Sequence, residues 1–442
     1  MARNLKAFLY PPLLLSLSCL GLASLAQAQT NEPVMSGRTL TLTEAKRVAF
    51  ERNWDLLAAR SSIDAATAQH LIAKEFPNPV VFVSTSKINT DANPNRTLAG
   101  NSLWHRSYDT VFAVNQLVEI GGKRSSRQAS AQAGIAGARA RFYDARRLLE
   151  QGVAKAYIAA LLAGDNVQIL KQSAQSLRRE AEIAGTRFKA GDISDSDKKR
   201  IEINAERFES DAQAAEVAAN SARIAVEVLM GSENPKGDWT PGDLLDQLAG
   251  QPAADNILKA SAARPDLLAA EADLRKAGAE LKLQKALRVP DPTFLLQYEH
   301  QPPDQPNTIG LGVSFPLPLW NLNKGAIKAA QAAQAQASFQ IAKIRSQIVS
   351  DITIAEHTYR DASQRQQRYQ SQIRPKSRQV REAVTFAYEK GGASLVDLLT
   401  AERDDNDVRL ATAQALADSA NAATDLAAAQ NSLSPSELTF RQ

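Results

Sequence analysis

Two serine–aspartate pairs, Ser194 with Asp197 and Ser394 with Asp397, share one spacing and lie 200 residues apart. Ser-x-x-Asp suits a helix start, where the hydroxyl accepts from the amide three residues on and the carboxylate reaches back. The same carboxylates, together with Asp192 and Asp195, could instead collect cations at an exposed turn. Gly191 stands before the first pair, Gly391 and Gly392 before the second, where glycine ends a preceding helix. Other chemistry is poorly provided for. His70, His105, His300 and His357 are scattered, with no pair at i, i+4, and Met35 and Met230 are isolated. That pattern offers a metal ion neither an imidazole face nor a soft-ligand track. No Gly-x-Ser-x-Gly, phosphate loop or dinucleotide fingerprint appears at a strand-to-helix junction. The expectation is a non-enzyme without cofactor or resident metal.

The elements that must position these carboxylates are long helices. Residues 122–190 hold no proline and carry apolar residues at helical spacing, for example Leu148, Val153, Tyr157, Ile158, Leu161 and Leu162. Unbroken, that stretch would be a rod of about 100 Å. After the stop at Gly191 a second helix runs from Ser194 to about Met230. The arrangement returns from Lys324 to Lys390, with a kink expected at Pro375, a stop at Gly391, and a helix to about Gln430. Shorter helices precede each pair. One begins at Thr41 with Glu44 as a capping box and ends before Pro77; the other covers about Ala253 to Arg288, with a break at Pro265.

Four strands are expected between the helices, at residues 80–90, 108–117, 293–300 and 308–315. The first two flank a polar loop, 91–106; the last two flank a tighter turn, Gln301–Asn307. The fourth is the clearest: Ile309, Leu311, Val313 and Phe315 alternate with Gly310, Gly312 and Ser314. Trp104, Tyr108, Phe294 and Tyr298 suit either interface girdles or packing within the sheet. Trp320 is expected to anchor the junction after Pro316 and Pro318.

The chain is internally duplicated. Trp54–Ala59 matches Pro265–Ala270, Phe76-Pro77-Asn78-Pro79 matches Val289-Pro290-Asp291-Pro292, and Val114-Asn115 matches Val313-Ser314. Phe188-Lys189-Ala190-Gly191 matches Tyr388-Glu389-Lys390-Gly391. This divides the chain into a first repeat (29–231, tip 191–197), a connecting segment (232–252) and a second repeat (253–442, tip 391–397).

The first residues read as an export signal: Arg3 and Lys6, an apolar run from Ala7 to Leu25, and the A-x-A site Ala26-Gln27-Ala28. Residues 1–28 are therefore expected to be removed. Cys19, the only cysteine, falls inside them, and Ser16-Leu17-Ser18 before it is a poor lipobox, so lipidation is not expected. The mature chain would then have no disulfide or thiol chemistry. A formal charge of +4 with interspersed signs argues against nucleic acid. Beyond the signal no apolar run approaches the roughly 20 residues of a spanning helix, so any membrane crossing must be a barrel. Four strands cannot close in lipid, since two edges stay unsatisfied. Three copies would supply twelve, an even number within the barrel range.

Over essentially the whole mature chain the sequence resembles the TolC-like outer membrane efflux family. Leu40-Thr41-Leu42-Thr43-Glu44-Ala45, Phe76-Pro77-Asn78-Pro79 and the tips Arg187–Ser194 and Ala387–Asp397 carry the resemblance. It implies a mainly α chain with a small β part: a homotrimer with a 12-stranded outer-membrane barrel and a long periplasmic α-helical barrel. Its partners would be a periplasmic adaptor, an inner-membrane RND transporter and outer-membrane lipid. Ser314–Asn321 with Lys324-Gly325, and Gln116-Leu117 followed by Glu119–Arg124, are similar to the heavy-metal, CzcC-like branch, which implies metal-ion export. Other ducts of the family would carry organic solutes or secreted proteins, and a reading of another class is a periplasmic coiled-coil scaffold without a pore. Asp397 matches a position at the closed entrance of related channels, and Asp197 is its repeat partner. A ring of such carboxylates would raise one another's pKa and make opening pH-sensitive. Capping alone is the alternative for both. Three residues on, where a second carboxylate is usual, stand Thr400 and Arg200, and Asp195-Ser196 occupies positions usually apolar.

Overall fold

A computed structural model describes residues 37–88, 107–248, 264–301 and 305–432. Strand β1 (Arg38–Leu40) leads into α1 (Leu42–Arg52) and α2 (Trp54–Lys74), followed by β2 (Val80–Ile88) and β3 (Ser107–Leu117). Then come α3 (Lys123–Ala190), α4 (Asp195–Leu229) and β4 (Trp239–Pro241). The second half holds α5 (Pro265–Ala286), β5 (Thr293–Gln301), β6 (Gln305–Ser314), α6 (Lys324–Arg368), α7 (Arg374–Glu389) and α8 (Leu395–Ala429).

Several boundaries differ from expectation, each for a physical reason. The first helix is two: Asn53 accepts from the Leu56 amide at 3.1 Å and donates to Leu229 O, capping a fresh start. Thr41 caps α1 at 3.3 Å from the Glu44 amide, but the Glu44 carboxylate pairs with Arg38 and does not reach back. Helix α5 begins at Pro265, the first helical position that proline favours, and the expected start at Ala253 lies outside the described residues. Between α6 and α7 the π-turn Tyr369–Ile373 absorbs the hydrogen bond that Pro375 cannot make, so the rod stays continuous. Strands β5 and β6 extend to Gln301 and Gln305, into the expected turn, and β6 ends at Ser314, one residue before Phe315. Residues 89–90, the loop 91–106 and Trp104 lie outside the described residues.

Helix α3 runs unbroken for 68 residues. By length and composition one stretch of it would pass as a membrane span, which the run-length reading passed over. It contacts α2, α4, α5 and α8 and buries Val153, Tyr157, Ile158 and Leu161 within the chain, about one third of that stretch being buried. Tyr157 stacks on Trp239 at 5.9 Å and donates to Leu40 O at 2.7 Å. It thereby ties α3 to the parallel β1–β4 pair. Elsewhere the helices meet through alanines interleaved with larger apolar residues, as with Ala174, Leu177, Ala205 and Phe208 between α3 and α4.

The remaining strands form one antiparallel sheet in the order β2-β3-β5-β6. Opposed residues of antiparallel strands share a face, so the register sorts every side chain. One face carries the rows Val81–Val114–Leu296–Leu311, Val83–Phe112–Tyr298–Ile309 and Gln116–Phe294–Val313. The other carries Phe82–Ala113–Gln297–Gly310, Val80–Asn115–Leu295–Gly312 and Ser84–Val111–Glu299–Thr308. The first is apolar yet exposed, Leu311 at 84% and Ile309 at 77%. The second is mixed, and the cross-strand neighbours crowd its glycines: a Cβ on Gly310 would come within 2.8 Å of the Gln297 side chain. Strand β2 is apolar on both faces, which is why its alternation is hard to read.

Candidate functional site: the helical tips and their fastening

Both tips are built the same way. Gly191 and Gly391 adopt left-handed φ of 82° and 76°. The amides after them reach back five residues, Asp192 N to Arg187 O at 2.9 Å and Gly392 N to Ala387 O at 2.8 Å. These bonds satisfy the last helical carbonyls and turn the chain sharply. Ser194 then accepts from the Asp197 amide at 3.1 Å, and Ser394 from the Asp397 amide at 3.2 Å. In the second tip Asp397 also accepts from the Ser394 amide at 3.0 Å and its hydroxyl at 2.6 Å, completing the capping box. In the first, Ser194 bonds Asp197 at 2.7 Å and Ser196 at 2.8 Å.

The fold brings the tips together through Arg187, whose guanidinium lies over the Tyr388 ring at 5.4 Å. Asp192, Asp195 and Asp397 are exposed and Asp197 is partly so; Asp195 pairs with Lys199 at 2.6 Å. The Ser394 hydroxyl and amide hold Asp397 below the usual carboxylate range. Within one chain that shift is opposite in sign to the one a carboxylate ring would produce. Among the described residues no three His, Cys, Asp or Glu side chains converge as metal ligands.

Sequence reasoning missed the residues that fasten α7 to α8 behind the tip. Buried Asp405 accepts from Arg374 at 2.7 Å and Ser377 at 2.5 Å, and Arg381 stands 3.5 Å away. Arg381 also reaches Glu402, whose carboxyl burial pushes above its ordinary value. Across on α3, Glu180 is raised too, first by burial and then by Glu389. The signal was present: Arg374, Ser377 and Arg381 fall at i, i+3 and i+7 on one helix face, opposite an aspartate in an alanine-rich helix.

At the other end of α3, Lys123 is buried and pairs with Asp291 at 2.6 Å. Asp291 also accepts from the Ile120 amide, and Arg127 pairs with Glu119. This lock fixes the end of β3 to the start of β5. The sheet thus hangs on charged junctions at one end of the long helices, and the carboxylate tips lie at the other.

Residues 47–232 and 256–432 match the family described as Outer membrane efflux protein. The chain is 26% identical over 367 residues to the cobalt-zinc-cadmium resistance protein CzcC of Cupriavidus metallidurans, covering 82% of this chain and 83% of that protein. Its fold superposes on CusC with a TM-score of 0.74 at 16% identity, over 88% of this chain and 91% of the other. The open-state MtrE outer membrane channel of Neisseria gonorrhoeae gives 0.72 at 20% identity, over 88% of each chain. The apolar exposed sheet, the long helix pairs and these likenesses agree: the chain belongs to the outer membrane efflux protein family, transport proteins of the outer membrane.

Proposed function

We propose that this chain forms, as a homotrimer, the outer-membrane exit duct of a tripartite pump that exports heavy-metal cations. The observation that carries the duct is the four-stranded sheet with an apolar, exposed face and two open edges, β2 and β6. Hydrocarbon suits the face and forbids the edges, so further copies must close the sheet; the resemblance to the TolC-like family supplies the number three, which makes twelve strands. The mixed face would line the pore. The two repeats, 29–231 and 253–442, joined by 232–252, each contribute a hairpin and a long helix pair. A pore-less scaffold has no use for these hairpins. Metal cargo is supported by the likeness to CzcC; a duct for organic solutes or secreted protein would share the same fold. A periplasmic adaptor and an inner-membrane transporter of the RND type complete the pump.

The tips are assigned the pore entrance. Three Asp397 carboxylates around the axis, with Asp197, Asp192 and Asp195 beside them, would attract cations. Gly191, Ser194, Gly391, Gly392 and Ser394 shape the turns that partners approach. Heat-modifiable trimers in outer-membrane fractions and ion conductance in planar bilayers are the expected results, and a soluble monomer would sink the proposal. Asp397→Ala should raise conductance or weaken block by trivalent cations; no change in either would reduce Asp397 to a cap. Loss of tolerance to zinc, cobalt or cadmium in a deletion strain tests the cargo.

A further inference from the structure

The two strand-to-helix junctions follow one plan and end differently. After β3 the junction is closed by Lys123 on Asp291 and by Arg124 over the Phe76 ring at 3.9 Å. After β6 the corresponding stretch is fastened only at its end, where Asn323 donates to Gln284 O at 2.8 Å, and the residues before it stand open. Leu317 and Leu319 are exposed, and Trp320, expected from sequence to anchor this junction, is 93% exposed. Lys324 and Lys328, one turn apart on α6, are exposed as well, and the first turn of α6 holds no acid. Cations there stand against the positive end of the helix dipole.

The order of these residues is informative. The outward apolar row of β6 begins at Ile309 and continues in sequence through Leu311, Val313, Phe315, Leu317 and Leu319 to Trp320. Strand β6 itself, Gln305–Ser314, covers roughly 30 Å, and at a barrel tilt of ~40° about 23 Å of height, close to the ~25 Å apolar band of an outer-membrane barrel. Past Ser314 the chain turns back, with Leu319 N on Leu317 O at 2.9 Å. Trp320 therefore falls at the boundary of the band, with the lysines one step further from the hydrocarbon. Apolar, then tryptophan, then lysine is the succession of bilayer core, interface and phosphates.

We propose that the segment from Phe315 to Lys328 is a lipid anchor. It seats Leu317, Leu319 and Trp320 in the periplasmic leaflet and sets Lys324 and Lys328 on phospholipid phosphates. The inference rests on the barrel reading above. A second copy is the other candidate occupant, and the repeat argues against it. Asp291, the partner of Lys123, has Asn78 as its counterpart in the duplicated plan. A neighbour seated by that plan would offer Lys324 no carboxylate, whereas phosphate supplies the charge.

The test uses trimers in vesicles, with Trp320→Cys or Leu311→Cys carrying an environment-sensitive fluorophore. Neither position is buried, so labelling leaves the core intact. Lipids brominated near the headgroup should remove roughly half the emission at position 320, and lipids brominated near the methyl ends should act more strongly at 311. Phosphatidylglycerol should increase the shallow quenching at 320 over pure phosphatidylcholine, and Lys324→Ser with Lys328→Ser should abolish that increase. Quenching at 311 but not at 320, with 320 cross-linking between chains, overturns the anchor and leaves the barrel standing. An indifferent response to phosphatidylglycerol overturns the phosphate contact. Absence of quenching at both positions removes the barrel reading and the anchor with it.

Discussion

Removing the carboxylate of Asp405 should free α7 while leaving α3 in place. Asp405 is 3% exposed and faces Arg374, Ser377 and Arg381 of α7. Deleting one partner of a buried ion pair costs about 3–5 kcal/mol when the other stays buried and unpaired. Here Arg374 and Arg381 keep 31% and 30% of their side-chain surface in water, so both can turn outward. Discounted for that escape, Asp405→Ala should weaken the α7–α8 contact by roughly 2 kcal/mol, about a thirtyfold shift in local opening. Hydrogen exchange on trimers in vesicles reads this directly. Protection of α7 amides should fall by about that factor, with α3 amides unchanged. Asp405→Asn, which keeps an acceptor, should fall in between. An unchanged α7, or an equal loss along α3 and α8, would refute the argument by showing that the contact either carries no coupling or stabilises the whole chain.

Two further outcomes follow from the geometry. Lys123→Met leaves the Asp291 carboxylate with the Ile120 amide as its remaining donor here, which should cost about 3 kcal/mol. A double-mutant cycle with Asp291→Asn should recover most of that loss, and additive effects would dissolve the lock. At the second tip the folded pKa of Asp397 lies below its ordinary value, so its contribution is present above the ordinary carboxylate range and lost as pH falls through the folded value. Ser394→Ala should move the Asp397 titration back upward, followed by carboxyl NMR; an unmoved titration would mean the hydroxyl does not hold the charge.

The long helices, the hairpins and the tips were legible because each is written in a local period: 3.6 for α3, two for β6, and a fixed Gly–Ser–Asp spacing at the turns. What escaped depends on contacts between distant residues or on a local rule with two solutions. Asn53 interrupts no apolar period, so the break shows only once its side chain finds Leu229 O. Pro375 announces a kink, but a π-turn satisfies the same steric demand within a continuous rod. Trp320 beside two prolines suggests a packed corner, and nothing local reveals that it stays 93% exposed among the described residues. The Asp405 cluster joins α7 to α8 across a reversal of direction: the face of Arg374, Ser377 and Arg381 is legible on its own helix, but the aspartate it meets on the next is not.

That cluster has a counterpart in the first half of the duplicated chain, and the two are built differently. At the shift of 200 residues that aligns the tips, Arg374, Ser377, Arg381 and Asp405 correspond to Ala174, Leu177, Ala181 and Ala205. Ala174, Leu177 and Ala205 belong to the apolar cluster that holds α3 to α4, and Ala181 packs against it. Gln175 stands opposite Pro375, and α3 runs through without a π-turn. One position in the plan is therefore filled twice, once with a greasy seam and once with a charged one. Parting the apolar seam exposes Leu177 and Phe208 to water with nothing in return. Parting the charged seam hands two half-wet guanidinium groups and a carboxylate to solvent, which rehydrates them and returns much of the loss. The charged seam also lies beside the π-turn, where the rod already departs from its regular hydrogen bonding. The exchange contrast between α7 and α3 therefore measures which of the two seams opens at the lower cost.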